Sequence, residues 1–201
     1  EVTVNFITLV MSPAFTDNLL YTTQTKLPEQ FLEEIKLHIE NDTLFHSAIN
    51  TDEIIKSFRS SKNGWIHYDN WIGGIIFGMM MGANKDYFHY DIEYFDAPIQ
   101  STIYEKGDHY DWHCDNADPK DHFKGIYQTE RKLSISLLIN DDYEGGELCF
   151  WDEHNVEKHA NSMHVSPSNH LFMHEVKPVT KGTRYSVITW FSYQKGKQWL
   201  I

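Results

Sequence analysis

The feature that most constrains the fold of this chain is a series of short segments, rich in β-branched and aromatic residues, between residues 99 and 193. Turn-forming residues such as Gly and Asp separate the segments, as expected for strands joined by tight turns. The predicted strands are Ile99–Glu105, His109–Asp115, Lys132–Asn140, Glu147–Trp151, Ser162–Val165, His174–Val179 and Arg184–Tyr193. Many short strands of this kind predict an antiparallel barrel or jelly roll.

The first part of the chain has a different periodicity. Residues 28–41 repeat apolar side chains at helical spacing after a proline, and residues 69–83 form a second apolar segment of helical length. Four glycines in the second segment suggest close packing. We therefore expect one domain over residues 1–201, in which a largely helical support, residues 1–86, braces a β core over residues 87–195.

The β core is predicted to start near Tyr87, because aromatic and aliphatic residues then alternate with mostly polar neighbours. The alternating residues are Phe88, Tyr90, Ile92 and Tyr94. A period of two is typical of a strand with one buried face.

The overall charge disfavours two classes of partner. The chain carries 17 Lys and Arg against 29 Asp and Glu, a net charge of −12 that repels phosphate backbones and anionic lipids. The longest apolar run, residues 71–82, is shorter than the roughly 20 residues of a membrane span. No secretory signal opens the sequence, and two isolated cysteines suit a reducing compartment, so we expect a cytoplasmic protein that binds neither nucleic acid nor membranes.

A candidate metal site lies in residues 104–115, where His113 and Asp115 are two residues apart and would share one face of a strand. His109 and Asp111 have the same spacing and the same parity. Periodicity alone therefore leaves both pairs open as ligands.

Three motifs together resemble those of the 2-oxoglutarate and iron(II)-dependent dioxygenase superfamily. They are Tyr-x-x-His-x-Asp at residues 110–115, Gly-Gly-Glu-Leu at residues 145–148, and His174 followed ten residues later by Arg184. The nearest likeness is to the prolyl 4-hydroxylase branch and the bacterial PKHD-type hydroxylases. The resemblance implies a double-stranded β-helix, a jelly roll of the cupin type, in agreement with the predicted strands.

The resemblance also implies a set of roles. His113, Asp115 and His174 would hold Fe(II), the two-histidine, one-carboxylate set that leaves positions open for oxygen chemistry. Arg184 would bind the distal carboxylate of 2-oxoglutarate, since a guanidinium offers two parallel donors. Tyr104 and Ser186 are expected to hydrogen-bond the co-substrate. The expected cofactor and co-substrates are Fe(II), 2-oxoglutarate and O2, with ascorbate as an accessory reductant.

One position departs from the family pattern. The prolyl hydroxylases often place a tyrosine on the strand that here reads Lys132–Asn140, whereas this chain offers Leu137 and Leu138. How the co-substrate is bound there is left open. The charged segment 116–130 is a candidate lid, and Asn161 is a candidate left-handed turn residue.

The resemblance favours hydroxylation of a prolyl residue in a protein or peptide, with release of succinate and CO2. Three alternatives remain. One is the same chemistry on a free amino acid or another small molecule, another is a cupin-like metal-binding module without turnover, and the third is nucleic-acid demethylation, which the charge disfavours. The oligomeric state is not predicted.

Overall fold

A computed structural model describes residues 20–41, 45–46, 58–115, 131–150, 154–156 and 158–192. Within these residues the strands are β1 (Tyr21–Gln24), β2 (Phe45–His46), β3 (Arg59–Ser60), β4 (Lys62–Ile66), β5 (Tyr94–Phe95), β6 (Ile99–Tyr104), β7 (His109–His113), β8 (Arg131–Leu138), β9 (Glu144–Gly145), β10 (Leu148–Phe150), β11 (His154–Asn155), β12 (Ser162–Pro167), β13 (His174–Val176), β14 (Val179–Lys181) and β15 (Arg184–Ser192). Every strand segment predicted from residue 99 onward is confirmed to within a few residues.

The strands form two facing sheets and a small ribbon, all with antiparallel pairing. The main sheet has the order β1-β12-β8-β15-β6-β4-β2, with β5 paired to β15. The second sheet has the order β11-β10-β13-β7-β3, and β14 pairs with β9. The predicted fold class, mainly β with supporting helices and a double-stranded β-helix core, is confirmed.

Both predicted helices are present. Helix α1 (Glu29–Asn41) buries Leu32, Ile35 and Ile39, which recur at helical spacing. Helix α2 (Trp71–Ala83) begins after Asn70, whose side chain accepts a hydrogen bond from the backbone N–H of Ile72 at 3.1 Å. Neither helix, nor any other helix of the described residues, is long and apolar enough to cross a membrane.

Only one of the four glycines in α2 is explained by close packing. A Cβ at Gly73 would stand 2.0 Å from the carbonyl oxygen of Tyr68. The preceding turn can therefore pack against the helix only because residue 73 has no side chain. A Cβ at Gly74, Gly78 or Gly82 would meet nothing within 4 Å. The expectation that all four glycines mark close contacts is therefore wrong for three of them.

The β core does not begin at Tyr87 as predicted. Residues Asn84–Phe88 form a π-helical turn that continues α2 and ends at His89, whose φ is 58°. The Asn84 side chain donates to the backbone carbonyl of Tyr90 at 2.7 Å and accepts from its backbone N–H at 2.9 Å. Both backbone groups of Tyr90 are therefore hydrogen-bonded without a partner strand. The first strand after the helix is β5.

Residues before position 87 also supply strands, in addition to the predicted helices. Strand β1 pairs with β12, β4 pairs with β6, and β3 pairs with β7. Both sheets therefore extend into the segment that we expected to be largely helical.

The two faces of the main sheet differ in character, and this difference positions the site. One face packs against α1 and α2 through the apolar side chains of alternate residues, among them Ile99, Ile135 and Val187. The alternate residues point the other way and are buried although polar, including Thr102, Ser134, His164, Arg184 and Ser186. The interior between the sheets therefore has a polar lining.

Candidate metal centre and co-substrate pocket

Two histidines lie side by side on neighbouring strands of the second sheet. His113 at the end of β7 and His174 at the start of β13 are direct partners in the antiparallel ladder. Their ring centroids are 4.2 Å apart. With Asp115, just beyond β7, they form a cluster in which one ligand atom from each residue lies within 4.8 Å of the others. The structure thus brings together the three side chains predicted as metal ligands.

Each histidine is held in the same way by its own backbone. The Nδ1 of His113 bonds the carbonyl of Asp111 at 2.7 Å, and the Nδ1 of His174 bonds the carbonyl of Phe172 at 3.0 Å. A ring whose Nδ1–H donates to a carbonyl has its lone pair on Nε2. Both imidazoles are therefore fixed in the tautomer that can bind a metal through Nε2.

The protonation states also suit metal binding. Burial, reinforced by the neighbouring His174, lowers the pKa of His113 to about 3, so its ring is neutral at physiological pH. Burial alone would raise the pKa of Asp115, but its electrostatic interactions with His174 and His113 bring that pKa below its usual value. The Asp115 Oδ2 lies 3.8 Å from the Nε2 of His174. A neutral imidazole and an ionised carboxylate are the ligand forms that a divalent cation requires.

The geometry distinguishes the two His-x-Asp pairs that the sequence could not. Asp111 is exposed and His109 is half-buried, and neither belongs to the metal-ligand cluster of the described residues. The register between β7 and β13 shifts between Tyr110 and His113. Such an irregularity breaks the period of two, so equal parity along β7 does not mean a shared face.

Arg184 is the cation of the interior. It begins β15 directly opposite Tyr104 on β6, is only 4% exposed, and donates from Nη1 to the Ser186 hydroxyl at 2.8 Å. Its Nε is buried without a hydrogen-bond partner, and no carboxylate of the described chain lies within 4.0 Å of its guanidinium. Burying a guanidinium without a counter-charge costs free energy, and a bound anion would offset that cost.

The residues predicted to assist Arg184 are both close to it. The Arg184 guanidinium lies 5.4 Å from the centroid of the Tyr104 ring, which is 2% exposed and packs against Val176 and Val179. The Ser186 oxygen accepts from Arg184, which leaves its own O–H to donate to a ligand. Their roles toward a co-substrate are part of the proposal below.

The Gly145-Gly146 turn makes room for the arginine. Both residues have positive φ, 72° and 64°, and a Cβ at Gly146 would lie 3.3 Å from the Arg184 Cδ and 3.0 Å from the Tyr143 ring. A side chain at position 146 would crowd the aliphatic part of the Arg184 side chain. This contact gives a physical reason for the glycine pair that the sequence marked only as a turn.

A small pocket adjoins Arg184. Its lining adds three polar residues that sequence reasoning missed, Tyr143, Lys158 and His164. Burial raises the pKa of Tyr143, and the nearby Arg184 opposes that shift, so the phenol lies beside the guanidinium. Leu138, one of the two leucines on the strand where the family often has a tyrosine, also lines the pocket.

A stacked column of side chains supports the metal cluster from β3. The Tyr110 ring lies flat on His113, with centroids 3.5 Å apart and planes at 14°, and the Arg59 guanidinium lies 4.3 Å from the Tyr110 centroid. Ser61 and Asn63 accept hydrogen bonds from Arg59 at 3.2 and 3.0 Å. Arg59 therefore holds the Tyr110 ring, which in turn lies on His113.

Arg131 connects the metal cluster to the main sheet. Its Nη1 donates to the backbone carbonyl of Asp115 at 2.9 Å and its Nε donates to Asp96 at 2.9 Å. The guanidinium lies 3.9 Å from the centroid of the buried Trp190 ring. Arg131 therefore fixes the segment that carries the candidate carboxylate ligand. The candidate lid, residues 116–130, and Trp151 lie outside the described residues.

Comparison with known proteins agrees with this geometry. The sequence model of the 2OG-Fe(II) oxygenase superfamily matches residues 99–192. A PKHD-type hydroxylase of Psychrobacter sp. (strain PRwf-1) is 38% identical over 99 residues, which cover 46% of this chain and 37% of that protein. This chain thus matches less than half the length of that relative.

Solved structures share the fold. A Pseudomonas putida prolyl-4-hydroxylase aligns with a TM-score of 0.69 at 18% identity, covering 90% of this chain and 95% of that one. A Trichoplax adhaerens prolyl hydroxylase, solved with a hypoxia inducible factor oxygen degradation domain peptide, aligns with a TM-score of 0.69 at 18% identity, covering 89% and 85%. The predicted resemblance to the 2OG-Fe(II) oxygenase superfamily and to PKHD-type hydroxylases is confirmed, and the fold is shared with solved prolyl hydroxylases. The resemblance implies Fe(II), 2-oxoglutarate and O2.

Proposed function

We propose that this chain is a 2-oxoglutarate- and iron(II)-dependent dioxygenase that hydroxylates a prolyl residue in a protein or peptide. The observation that carries the proposal is the position of two features in one polar interior. A two-histidine, one-carboxylate cluster lies on the second sheet, and a buried arginine without a counter-anion lies on the main sheet. An iron(II) oxygenase that uses a dicarboxylic co-substrate requires both.

His113, Asp115 and His174 would hold the iron. Their backbone-anchored rings and ionised carboxylate supply three protein ligands, which leaves further positions for exchangeable ligands. Bound iron(II) would supply the oxidising chemistry, in which O2 is consumed, 2-oxoglutarate becomes succinate and CO2, and a C–H bond of the substrate becomes C–OH. The protein's part is to orient the reactants and to keep water away.

Arg184 would pair with the distal carboxylate of 2-oxoglutarate. The unpartnered Nε supports this role, because a bound carboxylate would both neutralise the guanidinium and satisfy that donor. Ser186 would add a hydroxyl donor next to the same carboxylate, and Tyr104 would form the wall behind it.

The prolyl substrate is supported by resemblance. Two prolyl hydroxylases share the fold over most of the chain, and one of them was solved with a peptide. We extend the proposal to a cytoplasmic location and to ascorbate as an accessory reductant, which the family resemblance suggests.

A turnover assay tests the proposed function. The protein is incubated with iron(II), 2-oxoglutarate and oxygen, together with proline-containing peptides or free amino acids, and succinate and a substrate mass gain of one oxygen atom are measured. We expect succinate release coupled to peptide hydroxylation. Hydroxylation of free amino acids alone would replace the peptide by a small-molecule substrate.

The chain offers a matched control for the ligand assignment. Changing His113 or Asp115 to Ala should abolish turnover and empty the metal site, whereas changing His109 or Asp111 to Ala should leave both intact. The two pairs have the same spacing on the same strand, so a general effect of polar-to-Ala changes on β7 would affect both. Full activity after Asp115→Ala would contradict the assignment.

A further inference from the structure

One buried titratable residue has no part in the metal site or in the proposed arginine–carboxylate pair. His164 lies on β12, two strands from Arg184 in the main sheet, and is 6% exposed. It lines the same pocket as Arg184. Its neighbours Met163 and Val165 point to the apolar core, so His164 faces the polar interior.

The contacts of the ring indicate which nitrogen faces the ligand. The Nδ1 of His164 lies 3.2 Å from the Thr22 hydroxyl, which is its direct cross-strand neighbour on β1. A hydroxyl can donate to Nδ1, and a neutral imidazole that accepts at Nδ1 carries its proton on Nε2. The ring is neutral at physiological pH, because burial and, to a smaller extent, Arg184 lower its pKa to about 4.

Three donors in and beside the pocket can converge on one anion. Of the other charged groups in its lining, the Lys158 ammonium donates to the Tyr143 carbonyl at 2.5 Å, and Glu147 is the acidic one. Arg184 offers its unpartnered Nε and Ser186 offers its O–H, and His164 offers Nε2–H in the tautomer whose Nδ1 accepts from Thr22. Nothing in the proposed function requires the third donor. A neutral donor is also the form that tolerates burial beside a guanidinium, whereas a second full charge would repel it.

We infer that His164 is a further co-substrate-binding residue, whose Nε2–H donates to the distal carboxylate held by Arg184 and so contributes to selection of a dicarboxylic 2-oxo acid. The inference rests on the proposed function and deepens it. Thr22 is then a positioning residue, because its hydroxyl fixes the donor tautomer of His164.

Calorimetric binding to the protein loaded with manganese(II) in place of iron tests the inference without turnover. The two probes are 2-oxoglutarate and pyruvate, which share the 2-oxo acid end but differ in the distal carboxylate. For His164→Leu we expect 2-oxoglutarate affinity to fall about tenfold or more, the usual effect of losing a hydrogen bond to a charged group, and pyruvate affinity to stay unchanged.

Two further variants separate the ring nitrogens. The amide of His164→Gln can reach the position of Nε2 and should restore much of the affinity for 2-oxoglutarate, whereas the shorter amide of His164→Asn reaches only the Nδ1 position and should not. Ser162→Ala is the matched control, since Ser162 is a buried polar residue on the same face of β12 and does not line the pocket.

The outcomes distinguish this inference from the proposed function. Wild-type affinity for 2-oxoglutarate in His164→Leu, or equal losses for both probes, would overturn the role of His164 while leaving Arg184 and the metal site in place. If His164→Leu fails to fold, equal affinities of the Gln and Asn variants would overturn it instead. A wild-type protein that binds neither probe would contradict the proposed function itself.

Discussion

Replacing Arg184 by Met should weaken co-substrate binding without destabilising the ligand-free protein. Met keeps most of the aliphatic packing against Tyr104 and Gly146 but removes the charge. In the ligand-free protein the guanidinium is buried without a counter-anion, so its loss should leave the free energy of unfolding unchanged or raise it. In the presence of 2-oxoglutarate the same change removes the partner of a buried carboxylate.

The expected loss of 2-oxoglutarate affinity follows from removing one member of the proposed arginine–carboxylate pair. Truncating one member of a buried, hydrogen-bonded charge pair costs about 2–5 kcal/mol, or a loss of roughly 30-fold to several thousandfold in affinity. At a ligand concentration of 100 times the wild-type Kd, binding stabilises the wild type by about 2.7 kcal/mol, which is roughly 5–10 °C in Tm for a chain of this length. A 100-fold weaker Kd reduces the stabilisation to about 0.4 kcal/mol, or roughly 1 °C.

Thermal unfolding of both proteins, with and without 2-oxoglutarate under anaerobic conditions, measures the two quantities together. We expect the 2-oxoglutarate shift to disappear in Arg184→Met while the ligand-free Tm is kept. A variant that loses several degrees without ligand but keeps the full shift would show that Arg184 is a structural residue, and the reasoning would be refuted.

Two other predictions concern the pocket wall. Gly146→Ala should lower the free energy of unfolding by about 1–3 kcal/mol and weaken 2-oxoglutarate binding, because φ is 64° and the added Cβ meets Tyr143 and Arg184. Urea unfolding measures the change in stability, and an unchanged midpoint would contradict the prediction. The metal-free protein should also lose stability as the pH falls from about 6.5 towards 4, since the folded pKa of His164 is about 4 and the unfolded chain therefore takes up the proton first. His164→Gln should flatten that pH dependence by an amount on the order of 3 kcal/mol, and an identical slope in both proteins would argue against a buried neutral ring.

The sequence predicted most of what depends on short-range pattern. The strands of the β core, the helices α1 and α2, and the left-handed Asn161, with a φ of 71°, all follow from local periodicity or turn chemistry. The motifs also pointed to His113, Asp115 and His174, which the structure brings together; their role as metal ligands remains part of the proposal. The strands, the helices and the turn at Asn161 each depend on residues that are close to them in the sequence.

The sequence could not show the features that arise from irregularity or from distant strands. The π-helical turn after α2 replaces an apparent strand pattern because Asn84 satisfies the backbone of Tyr90 locally. The choice between His109 and His113 as candidate ligand depends on the register shift between β7 and β13. The alternation of residues along a single strand does not reveal such a shift. His164 reaches the pocket only because β12 pairs with both β8 and the early strand β1.

The measurement that tests the central claim most directly is an anaerobic titration of 2-oxoglutarate into the iron(II)-loaded protein, followed by visible absorption. A 2-oxo acid chelated to iron(II) gives a weak charge-transfer band. We expect this band in the wild type, its loss in His174→Ala, and a much higher half-saturation concentration in Arg184→Met. Absence of the band in a wild-type protein that demonstrably contains iron would contradict the oxygenase assignment and favour a metal-binding module without turnover.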